Sequence, residues 1–214
     1  MQTHSCPLPA NADLGPRLVL GSTSPYRREL LARLEWPFDV CSPQVDEQAL
    51  PDEAPLQTAL RLATFKARAV AEQCQDDAVV IGSDQVADLD GLALGKPGNH
   101  ARAKTQLQAM RGRTVRFHTA VCVKRETTGF EQTEVRTVAV RFRALSDEAI
   151  ETYLRLEQPY DCAGSAKCEG LGITLLERID SDDPTALVGL PLIATTALLQ
   201  AAGLDVLHRP ALFE

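Results

Sequence analysis

Residues 17–31, which read RLVLGSTSPYRRELL, decide the fold class that the sequence predicts. The mostly apolar run 17–20 predicts a short strand that ends at Gly21. Ser24 is a favourable helix N-cap, and Pro25 suits the first helical position, where its missing N–H costs nothing. The segment therefore predicts a strand, a short polar turn and a helix in immediate succession.

The rest of the chain continues this mixture of strands and helices without strict alternation. Period-two patterns at 115–123 and 138–142 predict two antiparallel neighbours. Further elements are expected as strands at 38–42, 78–81 and 173–176, a hairpin turn at Asp90-Gly91, and helices at about 55–74, from Asn99 to Met110, after Ser146 and at 191–202. The pattern predicts an α/β protein with a mixed, twisted β-sheet flanked by helices, in two lobes around a cleft.

Composition and charge exclude several classes of protein. Of the 214 residues, 44% are hydrophobic, which is enough for one substantial core. No apolar run approaches the roughly 20 residues of a membrane-spanning helix, so no membrane partner is expected. The net charge of −7 argues against broad nucleic-acid binding. We expect residues 1–16 to form a flexible extension without a secretory signal, and residues 17–207 to form a single domain.

Cysteine and histidine positions argue against a zinc site or a disulfide framework. None of the six cysteines forms a CxxC pair, and the four histidines do not cluster. Free thiols are typical of a reducing compartment, so we expect a cytoplasmic protein. The acidic stretch at 180–184 is interpreted as a solvated turn rather than a cation site.

The first candidate site is the turn before the first predicted helix. Ser22 and its neighbours offer hydroxyl groups beside the free N–H groups of a helix N-terminus, an arrangement that suits a phosphate. Arg27 and Arg28 add cations, one of which can fork onto phosphate oxygens. The alternative is an ordinary capped helix with two solvated arginines, and this segment alone favours that alternative.

The second candidate is Asp84, in the sequence Gly82-Ser83-Asp84-Gln85. We expect it directly after the apolar strand 78–81, and ligands in open α/β sheets bind beyond the carboxyl ends of strands. At such a place Asp84 can bind a metal ion or take a proton from an attacking water. The alternative is a turn-initiating aspartate.

The third candidate is the segment 161–170, DCAGSAKCEG, whose glycines let the backbone approach a ligand closely. In an extended segment Lys167 and Glu169 would point the same way. The alternative is a glycine-rich connection that carries a surface ion pair. Three single charged residues complete the set of candidates, namely Glu47, Lys66 and Lys96.

Taken together, these residues supply what a metal-bound triphosphate requires, which is cations for the phosphates and carboxylates for the metal. The sequence contains neither GxxxxGK[ST] nor GxGxxG. A P-loop site and a dinucleotide fingerprint are therefore not predicted.

Six collinear segments resemble the Maf family of nucleotide pyrophosphatases, and the resemblance runs from about residue 18 to 203. They are LGSTSPYRR at 20–28, VDE at 45–47, SDQV at 83–86, GKP at 95–97, CAGS at 162–165 and VGLP at 188–191. The resemblance implies an α/β fold with a nucleotide cleft and frequent homodimers. It also implies that a nucleoside triphosphate is hydrolysed between its α and β phosphates with a divalent cation, Mg²⁺ or Mn²⁺.

The same resemblance implies roles for single residues. Asp84 matches the family's proton acceptor, and together with Glu47 we expect it to bind the metal. Because phosphoryl transition states are often loose, Asp84 can also act chiefly as a metal ligand. The residues expected to bind the substrate all carry a hydroxyl group or a cation: Ser22, Arg27, Arg28, Lys66, Lys96 and Lys167.

Within the family, SDQ at 83–85 and GSAKCEG at 164–170 look like the branch that acts on 7-methyl-GTP. Tyr26, Gln85 and Glu169 fall at the family's specificity positions. The Glu169 carboxylate can accept two hydrogen bonds from the N–H edge of guanine, which a pyrimidine lacks. The methylated base is cationic, so an aromatic ring such as Tyr26 can stack on it.

Three departures from that branch leave other functions open. Tyr26 stands where Trp is commoner, Ala166 where Phe is expected and Cys168 where Ser is usual. The smaller ring at position 26 and the missing ring at position 166 widen the base pocket or weaken stacking. The alternatives are a dTTP or UTP pyrophosphatase of the same family, and a non-catalytic binding protein in septum formation or cell division.

Overall fold

The computed structural model describes residues 15–208, which contain one seven-stranded sheet and five α-helices. The strands are β1 (Arg17–Gly21), β2 (Phe38–Val40), β3 (Ala78–Leu89), β4 (Leu92–Leu94), β5 (Thr114–Arg125), β6 (Phe130–Phe142) and β7 (Leu176–Asp180). The helices are α1 (Pro25–Ala32), α2 (Pro55–Ala71), α3 (His100–Met110), α4 (Asp147–Glu157) and α5 (Leu192–Ala201). Nearly all of the predicted extension at 1–16 lies outside the described residues. Within them, no helix has the length and apolar character needed to cross a membrane.

The sheet is mixed, which confirms the predicted fold class. Its strand order is β2-β1-β3-β5-β6-β7, and β4 pairs with β3. β1 runs parallel to β2 and β3, whereas all other neighbours are antiparallel. The predicted hairpin turn is confirmed between β3 and β4, where Asp90 and Gly91 have φ values of 52° and 87°.

Two apolar clusters lie on one face of the long strand β3, one at each end, and form the cores of the two predicted lobes. One cluster packs α1 and α5 against the start of the strand, around Ile81. The other packs α3 and α4 against its end, around Ala87 and Leu89. Because side chains alternate along a strand, Val86 faces the opposite side, where α2 covers the sheet.

The strand predicted at 173–176 is wrong. Leu171–Leu175 form a 3₁₀-helix instead, and β7 begins only at Leu176. Gly172 permits the tight turn, since a Cβ atom there would lie 2.4 Å from the carbonyl oxygen of Lys167. A short apolar run does not distinguish a strand from a helical turn by its periodicity, which is why the prediction failed.

The prediction that Asp84 follows a four-residue strand is also wrong. β3 continues from Ala78 to Leu89, so Asp84 lies inside it. Residues 79–88 pair with β5 in one antiparallel ladder, which satisfies backbone groups whatever the side chains are. Polar residues are therefore tolerated in the middle of this strand.

Candidate active site

A gap in one edge of the sheet exposes the middle of β3. On this edge β3 pairs with β1 as far as Gly82, opposite Gly21, and with β4 only from Ala87, opposite Leu94. Among the described strands, none pairs with residues 83–86 there. The polar residues of β3 therefore face a cleft at this gap.

A cavity of about 640 Å³ lies at the gap. Its lining combines the β1–α1 turn, the middle of β3, the chain after β2 and β4, the 161–169 loop and residues 187–189. Small-molecule sites typically measure roughly 300–1,000 Å³, so the cleft can hold a nucleotide.

The turn between β1 and α1 is closed by its own hydroxyl groups. Ser24 Oγ accepts the backbone N–H of Arg27 at 3.4 Å, which confirms Ser24 as the N-cap, with Pro25 at the start of α1. Ser22 Oγ accepts the N–H of Ser24 at 3.2 Å. The N-terminus of α1 thus faces the cleft with its first turn already ordered.

Arg27 reaches from this turn across the cleft. Its Nε donates to the carbonyl of Gly189 at 2.8 Å, and its Nη1 donates to Ser22 Oγ at 3.3 Å. Burial lowers the pKa of Arg27, while the charges of Asp84 and Glu47 act to raise it. Gly189 has a φ of 124°, a backbone conformation that favours glycine. Its carbonyl is the one that accepts Arg27.

Lys66 lies between two carboxylates in the middle of the cleft. Its Nζ is 2.7 Å from Asp84 Oδ1 and 2.6 Å from Glu47 Oε1. Lys66 and Asp84 are buried, whereas 56% of the Glu47 side chain is exposed. Two carboxylates from distant segments therefore converge on the position of one cation.

Gly82 explains how α2 brings Lys66 to this place. A Cβ atom on Gly82 would lie 2.2 Å from the carbonyl oxygen of Ala63 and 2.4 Å from the backbone nitrogen of Ala67. The helix therefore packs directly on the strand backbone. Lys66 extends to Asp84, which is two residues beyond Gly82 on the same face of β3.

Several charged groups of the cleft together lower the pKa of Glu47. Its partial burial acts to raise the pKa, but the hydrogen bond from Lys66 and the charges of Lys66, Lys96 and Arg27 outweigh that effect. The pKa of Glu47 therefore lies below its ordinary value. Three cations from different segments thus stabilise one carboxylate at the mouth of the cavity.

The far end of the cleft is formed by Tyr26 and the 161–169 loop. The Tyr26 hydroxyl donates to Asp161 Oδ2 at 3.3 Å. Burial raises the pKa of Tyr26, and Cys162, Asp161 and Glu169 raise it further, so the phenol stays protonated. Glu169 lines the cavity with an exposed carboxylate.

The prediction that Lys167 and Glu169 extend side by side is wrong, because residues 168–170 form a turn. Lys167 Nζ lies 3.2 Å from Glu157 Oε1 and 5.7 Å from the centroid of the Tyr26 ring. Of the two residues, Glu169 lines the cavity and Lys167 does not. Lys167 packs behind the tyrosine instead of beside the glutamate.

Residues 186–189, here called the wall, close the cleft opposite α2. Ser83 Oγ donates to the carbonyl of Gly189 at 3.1 Å. Gln85 Nε2 donates to the carbonyls of Ala186 and Leu187, each at 3.0 Å. The same carbonyl of Ala186 accepts the hydroxyl of buried Thr119 at 2.8 Å. Sequence reasoning missed Thr119 as a site residue. It is the one polar residue among the alternate positions from Val115 to Val123, which was a usable signal.

This set of segments is matched by a known family. The family model described as Maf-like protein matches residues 17–202. The chain belongs to the Maf family.

Relatives with high identity extend the match over most of the chain. A protein of Albidiferax ferrireducens is 65% identical over 191 residues, which cover 89% of this chain and 96% of that protein. One of Polaromonas sp. is 67% identical over 186 residues, which cover 87% and 84%. One of Burkholderia pseudomallei is 59% identical over 213 residues, which cover 99% and 96%. All three relatives are named 7-methyl-GTP pyrophosphatase.

The likeness to solved structures is weaker. A nucleoside-triphosphatase / dITP/XTP pyrophosphatase from Mycobacterium abscessus is 17% identical with a TM-score of 0.38, over 60% of this chain and 75% of that chain. Such a likeness supports no conclusion about this Maf-family chain.

The Maf cleft gathers most, but not all, of the predicted site residues. Those that line the cavity are Ser22, Tyr26, Arg27, Glu47, Lys66, Asp84, Gln85, Lys96 and Glu169. Arg28 is exposed outside it, because the next residue on a helix is rotated by about 100° from Arg27. Lys167 also lies outside.

No set of three or more His, Cys, Asp and Glu side chains converges as metal ligands within residues 15–208. In the Maf cleft the carboxylates of Glu47 and Asp84 converge as a pair. Any metal bound here would therefore take its remaining ligands from water or from a bound substrate.

Proposed function

We propose that this protein hydrolyses a nucleoside triphosphate to the monophosphate and pyrophosphate, with 7-methyl-GTP as the preferred substrate. The observation that carries the proposal is the convergence of Arg27, Lys66 and Asp84 in one cleft that also holds Glu169. The names of the relatives support the same activity.

Arg27, Glu47, Lys66, Asp84 and Lys96 form one end of the cleft, here called the charged end, and these residues can divide the chemistry among them. Arg27, Lys96 and the N-terminus of α1 suit the phosphate groups. Asp84 Oδ1 accepts Lys66, whereas its Oδ2 accepts no hydrogen bond from the described residues. This oxygen is therefore available to take a proton from an attacking water.

Mg²⁺ or Mn²⁺ fits the donor set, since two carboxylates already lie within 2.7 Å of one cationic group. Mg²⁺ is commonly held by one or two carboxylates together with substrate phosphates and water. Glu47 and Asp84 would hold it, and when bound it would neutralise charge on the phosphate oxygens. Calorimetric titration of the nucleotide-free protein with Mn²⁺ tests the site, and weaker binding is expected after Asp84→Asn.

The far end of the cleft, formed by Tyr26 and the 161–169 loop and here called the base end, suits a methylated guanine. Glu169 offers two carboxylate oxygens as acceptors, and the Tyr26 ring already has a cation near it in Lys167. At Cys168, burial and Glu169 raise the thiol pKa to about 12, so it stays protonated and donates to Glu169 Oε2 at 3.5 Å. The cysteine therefore retains the donor that a serine would supply.

We further propose a cytoplasmic homodimer without a nucleic-acid or membrane partner. The cysteines between residues 15 and 208 are free thiols, and the net charge is −7. Light scattering tests the dimer, since a mass near 23.2 kDa would show a monomer.

The decisive measurement is pyrophosphate release from 7-methyl-GTP, GTP, dTTP, UTP and ITP, with Mg²⁺ and with Mn²⁺. We expect 7-methyl-GTP to lead by about tenfold or more, and Asp84→Asn to lower kcat by about 10²–10⁴. Asp182→Asn is the matched control, because 75% of that side chain is exposed. A lead for dTTP or UTP would overturn the base preference alone. Full activity in Asp84→Asn would leave the non-catalytic binding protein as the better explanation.

A further inference from the structure

The wall is attached to the sheet by a small buried network. The two N–H groups of Gln85 are shared among the carbonyls of Ala186 and Leu187 and Thr119 Oγ1, and Thr119 itself donates to the carbonyl of Ala186. Thr119 has no exposed surface and does not line the cavity, whereas Leu187 and Gly189 do. Thr119 can therefore influence a bound nucleotide only through its neighbours.

The Thr119 hydroxyl helps to fix which end of the Gln85 amide faces the wall. A threonine hydroxyl carries one proton, and this proton goes to the carbonyl of Ala186. Thr119 Oγ1 can then only accept from Gln85, at 2.9 Å. The group of Gln85 that faces Thr119 and two carbonyls must be the NH₂ group. The amide oxygen is thereby left as the acceptor that Gln85 offers to the cleft.

Gln85 stands between the two ends of the cleft. On the same face of β3, Ser83 holds Gly189 beside Arg27. Two residues beyond Gln85, Ala87 lies against Gly164 of the loop that leads to Glu169. The network therefore supports the part of the wall that lies towards the base end.

We propose that Thr119 is a specificity-determining positioning residue, which holds the wall and the Gln85 amide in place for the nucleobase without touching it. The inference rests on the proposed function, because it concerns the choice of base in the same cleft. Guanine presents N–H donors at N1 and at its amino group, which suit the Gln85 oxygen and the Glu169 carboxylate. Uracil presents a single N–H donor, so a displaced wall should weaken the binding of UTP less than the binding of 7-methyl-GTP.

A purely structural role for Thr119 predicts a different result. Loss of any buried hydroxyl lowers stability, but only a positioning role also changes the ratio of kcat/KM between two bases. Thr195 provides the matched control, since it is equally buried and its hydroxyl donates to the carbonyl of Pro191 at 2.7 Å. Thr195 belongs to α5 and does not line the cavity.

The experiment compares Thr119→Val, Thr119→Ser and Thr195→Val in the full-length protein. We expect Thr119→Val to reduce the preference for 7-methyl-GTP over UTP about tenfold, mainly through a higher KM for 7-methyl-GTP. Thr119→Ser keeps the hydroxyl and should restore the preference, and Thr195→Val should leave it unchanged. Without nucleotide, amide hydrogen exchange at residues 186–189 should be faster in Thr119→Val than in Thr195→Val.

An unchanged base ratio in a folded Thr119→Val protein would overturn the proposal, as would an equal shift in Thr195→Val. Failure of the proposed function looks different, because the parent protein would then release no pyrophosphate from any nucleotide. In that case hydrogen exchange still decides the positioning role. Equal exchange at the wall in the two valine variants would refute it.

Discussion

The charged end of the cleft and the wall are built from different kinds of interaction. At the charged end, Lys66 is paired with Asp84 and Glu47. At the wall, Gln85 and Thr119 donate to backbone carbonyls, with no ion pair involved. Ion pairs can exchange one partner for a charged ligand or a metal, whereas the wall bonds need no exchange. We therefore expect the charged end to reorganise when a ligand binds, whereas the wall is preorganised.

The difference has consequences for how each end responds to change. Removing one member of a buried ion pair leaves an uncompensated charge, which costs more than losing a neutral hydrogen bond. Among the three variants below, we therefore expect the largest effect from Lys66→Met, an intermediate effect from Glu169→Gln and the smallest from Glu47→Gln.

Lys66→Met breaks the charged end. The carboxylates of Asp84 and Glu47 then lose the cation between them, and the phosphates lose a positive charge, so we expect kcat/KM to fall about 10²-fold or more. Steady-state pyrophosphate release measures the loss. Lys104→Met is the control, because it removes a lysine that pairs with Glu151 outside the cavity. Equal activity in the two variants would contradict a functional role for the Lys66 triad.

Local capping chemistry and the family resemblance were sufficient to predict much of the charged end. Ser24 caps α1 as expected, and Asn99 and Ser146 cap α3 and α4 at the predicted starts of those helices, because capping depends on residues close in sequence. The place of Asp84 inside a strand was not predictable, since it depends on the antiparallel pairing of β3 with β5. Ala120, the partner of Asp84 in that pairing, lies in a different part of the chain.

The wall and the segment before it were less accessible to sequence reasoning, because their contacts are distant in the chain. Thr119 and Ala186 are 67 residues apart. Asp183, interpreted as part of a solvated turn, is fully buried and accepts the N–H groups of Thr185 at 3.1 Å and Ile193 at 2.9 Å. It caps α5 from outside the helix, and no local pattern indicates such a contact.

Glu169→Gln tests whether the base end reads guanine through a carboxylate. An amide offers one acceptor where the carboxylate offers two, so we expect the preference for 7-methyl-GTP over UTP to fall about tenfold while turnover of UTP persists. The substrate panel measures this ratio. Glu148→Gln serves as the control, since Glu148 is an exposed residue of α4 that lies outside the cavity. A uniform loss on all substrates would instead place Glu169 in the chemistry.

Glu47→Gln tests whether the contribution of the charged end to stability depends on pH while that of the wall does not. Lys66, Lys96 and Arg27 keep the Glu47 pKa below its ordinary value of 4.5, despite the opposing effect of burial. A depressed pKa stabilises the fold above the unfolded value, and the contribution is lost as pH falls through the folded value. Because 56% of the side chain is exposed, we expect Glu47→Gln to cost less than about 1 kcal/mol near neutral pH.

Urea unfolding measures this contribution when it is repeated at a series of pH values that covers about four pH units below neutral pH. The difference in free energy of unfolding between wild type and Glu47→Gln should shrink below the ordinary value of 4.5. For Thr119→Val the difference should stay constant over the same range, because its partners are a carbonyl and an amide. Glu177→Gln controls for surface charge, since 62% of that side chain is exposed and its contact with Arg141 is 3.9 Å. Parallel pH profiles for Glu47→Gln and Thr119→Val would mean that ion pairs do not distinguish the charged end from the wall.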